Sequence, residues 1–194
     1  MARPSSFDRD AALHTAMTLF KRHGYDGVAI SDLTAAIGIA APSLYGAFGT
    51  KAELYRKALR HYRDLPASRA ADVFDEEGTA REAVARTLRA AVAAVTEGAS
   101  SCGCMVSTGL LGCGEEAASL AQETAALRAA WRSDLAARLE RARDEGELPA
   151  HCEPAEIARF YAAVMQGISV QAHDGATREE LSAIVDQALT AWPT

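Results

Sequence analysis

"APSLYGAFGTKAELY", Ala41–Tyr55, places a proline and two glycines inside a stretch that otherwise reads as helix, then sets Thr50 and Lys51 directly after the break. Pro42 suits the first turn of a helix, where no intrahelical N–H bond is needed. Ala41, the residue before it, is biased away from the helical region. The spacing predicts a very short helix from Pro42 to about Phe48, closed at Gly49. A longer helix restarts with Thr50 as its N-cap and Glu53 three residues on, which is a capping box. Leu54, Ala58 and Tyr62 continue its inward face. Leu44 and Phe48, four residues apart, anchor the short helix. Pro42, Ser43, Tyr45, Gly46 and Ala47 remain as its ends and outer face, small enough for a close backbone approach.

The residues upstream set this pair of helices in a frame. Leu13, Ala16, Met17 and Phe20 follow the i, i+3, i+4, i+7 spacing of a buried helical face. Ser5 and Ser6 are candidate caps for that helix, with Asp8 and Asp10 in its first turn. Gly24 closes it after Lys21, Arg22 and His23. A second short helix is predicted from Ser31 to Ile37, with Leu33 and Ile37 inward and Gly38 ending it. That helix, the turn containing Gly38 and the short helix make a helix-turn-helix. Lys51 falls in the first turn of the next helix, where free N–H groups and the helix dipole favour an anion. Tyr45, Lys51 and that helix end can together hold DNA phosphates while the short helix enters the major groove. From spacing alone the alternative is a generic helical corner with a solvated lysine.

The bulk composition agrees with helices. The chain has 194 residues, enough for one domain or a small one joined to a larger, and long enough to bury a core. Alanine, leucine, glutamate and arginine dominate, aromatics are few, and the expected fold class is all-α. No apolar run approaches the roughly 20 residues of a membrane span. The start, "MARPSSFDRD", lacks the apolar core of a signal peptide. A cytoplasmic protein with no membrane partner is expected, its cysteines (Cys102, Cys104, Cys113 and Cys152) reduced. Residues 1–65 hold nine Lys/Arg and six Asp/Glu, whereas residues 66–194 hold eleven and twenty. A basic end on an acidic protein points to an anionic partner there, although ordinary scatter also accounts for three charges.

The stretch "LFKRHGYDGVAISDLTAAIGIAAPSLYGAFGTKAELYRKAL" resembles the N-terminal domain of the TetR/AcrR transcriptional regulators. The matches are Phe20, Gly24, Tyr25, Asp26, Leu33, Gly38, Leu44, Tyr45, Phe48, Lys51 and Leu54. The resemblance implies a three-helix DNA-binding unit over residues 1–50 and a helical ligand-binding and dimerisation region over residues 51–194. The helix at about 50–65 joins them. It implies a repressor, not an enzyme, that leaves a palindromic double-stranded operator when a small molecule binds. The positions expected at the DNA are Arg3, Ser31, Ala41, Pro42, Ser43, Tyr45, Gly46, Thr50 and Lys51. Relatives often carry Ser or Thr before the second helix, where this chain has Val28 and Ala29, and Ser where it has Ala40. Either Ser31 takes over that phosphate contact or the contact is missing.

The C-terminal region reads as further helices. Residues 66–78 form an acidic connector or frayed helix end. From Thr79 the pattern resumes with Val84, Leu88, Val92 and Val95. A long helix follows with Leu120, Thr124, Leu127, Trp131 and Leu135 on one face, ending near Gly146. Two more carry Ile157, Phe160, Tyr161, Val164 and Ile168, then Leu181, Ile184, Val185, Ala188, Leu189 and Trp192. The resemblance implies that these last two helices pair with their copies in a homodimer, through Phe160, Tyr161, Val164, Gly167, Ile168, Ile184, Ala188 and Trp192. Packing within one subunit is the other reading. The expected effector pocket is lined by Tyr62, Met105, Thr108, Leu111, Leu127, Trp131 and Met165, with no charged residue inside. That favours a neutral or weakly polar ligand of unspecified identity.

Residues 98–114, "GASSCGCMVSTGLLGCG", carry no charge. Three readings stay open there: small residues for tight packing, a thiol sensor of redox state or electrophiles using Cys102 or Cys104, and metal ligation. The spacing does not match the Cys-x2-Cys pairs of structural zinc sites, and no metal site or cofactor is expected. "Gly103-Cys104-Met105-Val106" resembles a glycine–cysteine–aliphatic motif that opens the sixth helix in relatives. The five histidines are expected to lie apart, and no nucleophile context, HExxH, Walker loop or dinucleotide fingerprint appears. A helical enzyme with a degenerate DNA-binding unit therefore has no positive support.

Overall fold

A computed structural model describes residues 7–69, 74, 78–96, 103–111 and 114–194. Arg3, Ser5, Ser6, Cys102 and Cys113 lie outside them. The described elements are helical: α1 (Arg9–His23), α2 (Ile30–Ile37), α3 (Ala41–Phe48), α4 (Lys51–Asp64), α5 (Pro66–Arg69), α6 (Ala80–Thr96), a 3-10 turn at Glu115–Ala117, α7 (Ala118–Asp144), α8 (Pro154–His173) and α9 (Arg178–Thr190). The expected all-α architecture is the one observed.

Local chemistry sets most boundaries. Thr50 and Glu53 exchange bonds at the start of α4, the Thr50 N–H donating to Glu53 Oε2 at 2.7 Å and the Glu53 N–H to Thr50 Oγ1 at 3.2 Å. Thr79 with Glu82, and Thr177 with Glu180, build the same box before α6 and α9. Each box satisfies two backbone donors that the helix start would otherwise leave open. Asp8 does this for α1 by accepting from Asp10 and Ala11, so it is the cap and not a first-turn residue. Gly38 ends α2 in the left-handed region at φ +77°, which tightens the turn into α3. Proline bias does not hold Ala41 out of α3: it is the first helical residue and Pro42 the second. Trp192 lies beyond α9, which ends at Thr190.

Two apolar cores result. The first unites α1 to α4 through Phe20, Leu33, Leu44, Phe48, Leu54 and Tyr55, and it also takes in Met105, Leu110, Ala117 and Leu120. The second gathers Leu88, Leu135, Leu139, Ile168, Leu181 and Val185 from α6 to α9. α7 runs through both, giving Leu120 to one and Leu135, Leu139 and Ala142 to the other. A buried Arg138 ties the far end of the bundle, donating to Gly78 O at 2.9 Å and pairing with Glu147 at 3.4 Å. Glu147 in turn accepts the N–H of Ala80 at 2.6 Å, at the start of α6.

Candidate nucleic-acid interface and internal cavity

α2 and α3 form the corner of the helix-turn-helix. Leu33, Leu44 and Phe48 are buried beneath it, whereas Ser31, Pro42, Ser43, Tyr45 and Gly46 are exposed on the outer side. Tyr45 keeps 48% of its surface, and a Cβ added at Gly46 meets nothing within 4 Å. α3 carries no charged residue. The starts of α2 and α3 differ from the boxed starts elsewhere. Their N-cap residues are Ala29 and Ala40, neither with a side-chain acceptor for the helix N–H groups. Asp32 reaches back to the Ala29 N–H at 2.8 Å, completing half a box.

Thr50 is exposed and held by its capping box, and Lys51 is half-buried. The Lys51 ammonium rests over the Tyr25 ring, 4.2 Å from the centroid. Burial there pushes its pKa below the usual lysine value of 10.5, while Asp26 and Glu116 pull it back up. Burial raises the Tyr25 phenol above its usual 10.0, and Asp26 and Glu116 raise it further. Tyr25 also packs edge-on to Tyr55, centroids 5.4 Å apart. The sequence marks Tyr25 only as part of a motif; its place beneath Lys51 follows from the fold. Lys57 donates to Phe48 O at 2.8 Å and so closes the C-terminal end of α3.

A cavity of about 270 Å³ lies at the seam of the two cores. Tyr62, Cys104, Val106 and Leu127 wall it from the first core, Val95, Trp131 and Met165 from the second. Small residues where helices face one another, Ala91 and Ala94 of α6, Ala130 of α7, Ala162 and Ser169 of α8, leave the space open. Four of the seven residues expected at a pocket, Tyr62, Leu127, Trp131 and Met165, line it. Met105 does not: it is fully buried in the first core. Thr108 and Leu111 border a separate groove beside Gly24 and Val170, with Leu111 65% exposed. Charge is present in the wall, contrary to expectation, from Arg63, Arg128 and Asp134. Ser107, Gln166 and Ser169 add polar groups that periodicity does not single out.

The segment 103–111 is not the opening of a helix. It makes hydrogen-bonded turns, with one side on the cavity and the other on α1 and α4. Cys104, Val106 and Ser107 line the cavity. Met105 O accepts from the Tyr55 hydroxyl at 3.4 Å, and Gly109 O accepts the Tyr25 N–H at 3.1 Å. Gly24, at φ +69°, lets the backbones approach: a Cβ there would lie 3.3 Å from Gly109 O. Lys21 reaches from α1 to Ala94 O in the cavity wall at 3.2 Å. Arg56 of α4 pairs with Glu123 of α7 at 2.7 Å, and that partner raises the guanidinium pKa.

The outer side of α8 and α9 divides the expected interface residues. Tyr161, Ile168 and Ala188 are buried inside the chain, and the Tyr161 hydroxyl donates to Ala188 O at 3.3 Å. They pack within the chain, with at most 7% of their surface exposed. Phe160 is exposed, and Val164, Gly167, Ile184 and Trp192 are half-buried. The histidines do not all lie apart: the His14 and His61 rings meet edge-on at 5.8 Å. No helix among the described residues is long and apolar enough to cross a membrane.

Comparison with known proteins joins these two regions in one chain. Residues 12–58 match the pattern described as "Bacterial regulatory proteins, tetR family", and residues 78–175 match "Tetracyclin repressor-like, C-terminal domain". The sequence is 34% identical over 192 residues to the HTH-type transcriptional repressor ComR of Escherichia coli K12, covering 98% of this chain and 91% of that one. It is 30% identical over 192 residues to the HTH-type transcriptional repressor BdcR of the same organism, covering 99% and 92%. The fold is similar to that of a cysteine-substituted variant of the TetR family regulator CifR, solved with 26-base-pair double-strand operator DNA. That similarity has a TM-score of 0.90 at 41% identity, over 99% of this chain and 100% of that one.

Proposed function

The chain belongs to the TetR family of bacterial regulatory proteins, and on that premise we propose that it works as a homodimer that releases its operator when a small molecule enters the seam cavity. It is a DNA-binding helix-turn-helix transcriptional repressor, as its full-length relatives are, and not an enzyme. Operator DNA puts its working place in the bacterial cytoplasm. Residues 1–50 serve as the reading unit and 51–194 as the effector and dimerisation unit, joined by α4.

α3 enters the major groove with Ser43, Tyr45 and Gly46 outward, assisted by Ala41 and Pro42 at its start. Ser31, Thr50 and Lys51 hold phosphates on either side. Lys51 suits this because a phosphate offsets the desolvation that disfavours its ammonium. A two-fold pair formed through the outer side of α8 and α9 presents two such units to a palindrome.

The observation that carries the release step is the double-sided segment 103–111. An occupant pressing on Cys104, Val106 and Ser107 acts on the backbone whose carbonyls hold Tyr55 and Tyr25. Tyr62 adds a second path, since α4 runs from the cavity to Lys51, eleven residues or roughly 16 Å away. A ligand that favours a different seat for α1 to α4 moves the two reading units off the groove spacing. Ligand and operator then weaken each other by one factor, about 5–150-fold.

The test is binding of the DNA upstream of its own gene across a salt series. Lys51→Ala is expected to flatten the slope of log K against log salt by about 0.9 per lost phosphate contact, and so about twice that in a dimer. Ala94→Phe, which fills the cavity, is expected to lower operator affinity as an effector does. Native affinity and slope in Lys51→Ala would remove its phosphate role; native affinity in a folded Ala94→Phe would remove the release route.

A further inference from the structure

We propose that Cys104 captures small α,β-unsaturated carbonyl compounds covalently, so that the cavity detects an electrophile by its reactivity as well as its shape. This rests on the seam cavity being the effector site.

Cys104 is a free, half-buried thiol in the cavity wall. The Tyr62 hydroxyl donates to its Sγ at 3.3 Å. Its backbone is fixed from both sides: the Thr108 N–H donates to Cys104 O at 2.8 Å, and the Cys104 N–H donates to Thr108 Oγ1 at 3.3 Å. A second observation points to a ligand. Ser107, three residues on along the same turn, faces the same cavity, is 7% exposed, and its hydroxyl has no hydrogen-bond partner among the described residues. A ligand oxygen in the cavity would give this hydroxyl an acceptor. Leu127, Trp131 and Met165 supply apolar wall for a short carbon chain or small ring. Cys152, by contrast, is buried in the α7–α8 connection and does not line the cavity.

A soft nucleophile, a free hydroxyl donor and apolar walls match an enone or enal. Sγ bonds to the β-carbon, the carbon–carbon π bond breaks, and its electron pair moves to the carbonyl oxygen as an enolate, which accepts from Ser107. The thiol proton ends on the α-carbon as the carbonyl re-forms. No group leaves and no oxidant is consumed. The adduct fixes new bulk on the segment that holds Tyr25 and Tyr55, and so extends operator release from reversible occupancy to a lasting state.

The test exposes the full-length reduced protein to but-3-en-2-one, with butan-2-one as the unreactive isostere. It reads intact mass, the modified peptide, and operator affinity relative to each variant's own untreated value. One enone per chain on Cys104 is expected, with operator affinity reduced at least about fivefold. A Cys102→Ser/Cys113→Ser/Cys152→Ala variant, which keeps only Cys104, is expected to respond in the same way. Ser107→Ala is expected to form the adduct more slowly. Enone found on other cysteines with Cys104 unmodified overturns the proposal, as does a Cys104 adduct that leaves operator affinity unchanged. Release by butan-2-one as effective as by the enone also overturns it, yet leaves the reversible reading standing. An untreated chain that binds no operator overturns that reading, and the proposal with it.

Discussion

Three aromatic rings fill the centre of the first core. Phe20 meets Tyr55 at 5.0 Å and Tyr25 at 6.2 Å, and Tyr25 meets Tyr55 at 5.4 Å. The second core is built mainly from aliphatic side chains and many alanines, and its aromatics meet only in separate pairs: Phe74 against a half-buried Trp131 at 5.5 Å, Tyr161 against a half-buried Trp192 at 6.0 Å. Large interlocking rings leave no room for rearrangement, because interiors are close-packed and bistable instead of soft. Alanines on facing helices leave the space that becomes the cavity. The contrast assigns a division of labour: a reading unit that keeps its geometry, and a bundle that can accept a guest and shift against it.

The largest effect should come from removing a ring of the first core. Phe20→Ala deletes a side chain with 0% exposure and is expected to cost about 3–5 kcal/mol in chemical denaturation. A loss below about 1 kcal/mol would show that the first core is as yielding as the second, and the comparison would break.

Next in size is an effect on assembly with no effect on the fold of the chain. A side chain added at Gly167 meets nothing within 4 Å inside the chain. Gly167→Arg should therefore keep the native melting behaviour of the chain, yet place a charge against its own copy if α8 forms the interface. Sedimentation should shift from dimer to monomer, with operator affinity falling about 100-fold. A dimer that survives Gly167→Arg would place the interface elsewhere.

The join between the regions should respond more weakly. Thr50→Ala removes the cap of α4 and is expected to cost about 1 kcal/mol. Its partner Glu53 is held below the usual carboxylate value of 4.5, first by the Thr50 backbone N–H and then by the Thr50 hydroxyl. Glu82 is held down in the same way by Thr79. A depressed carboxylate stabilises the fold above its unfolded pKa and loses that contribution as pH falls through the folded one. Stability should thus decline as pH drops below about 4.5, and Glu53→Gln should flatten the decline; an unchanged acid limb would mean that the box is not formed in solution. The smallest effect belongs to Arg56 and Glu123, whose side chains keep 32% and 46% of their surface. A double-mutant cycle should return less than about 1 kcal/mol. A larger value would mean that this pair, and not the 103–111 segment, holds the two regions together.

The sequence by itself determined the helices, their order and the reading unit. The capping box at Thr50, the glycine stop at Gly38 and the apolar spacing of α1 and α7 are local signals, written within a turn or two of the residues they control. The match of Lys51, Tyr45 and Gly38 to a known pattern is local for the same reason. Only the tertiary structure decided what lies against what. An apolar stripe says that Tyr161, Ile168 and Ala188 are buried but not that their neighbours belong to the same chain, so they read equally well as an interface. Met105 and Cys104 are adjacent in sequence, yet one is sealed in the first core and the other opens on the cavity, because the turn between α6 and α7 faces two ways. The cavity draws its wall from α4 to α8 and this turn; its volume is the space their side chains fail to fill, and no single stretch of sequence encodes that difference.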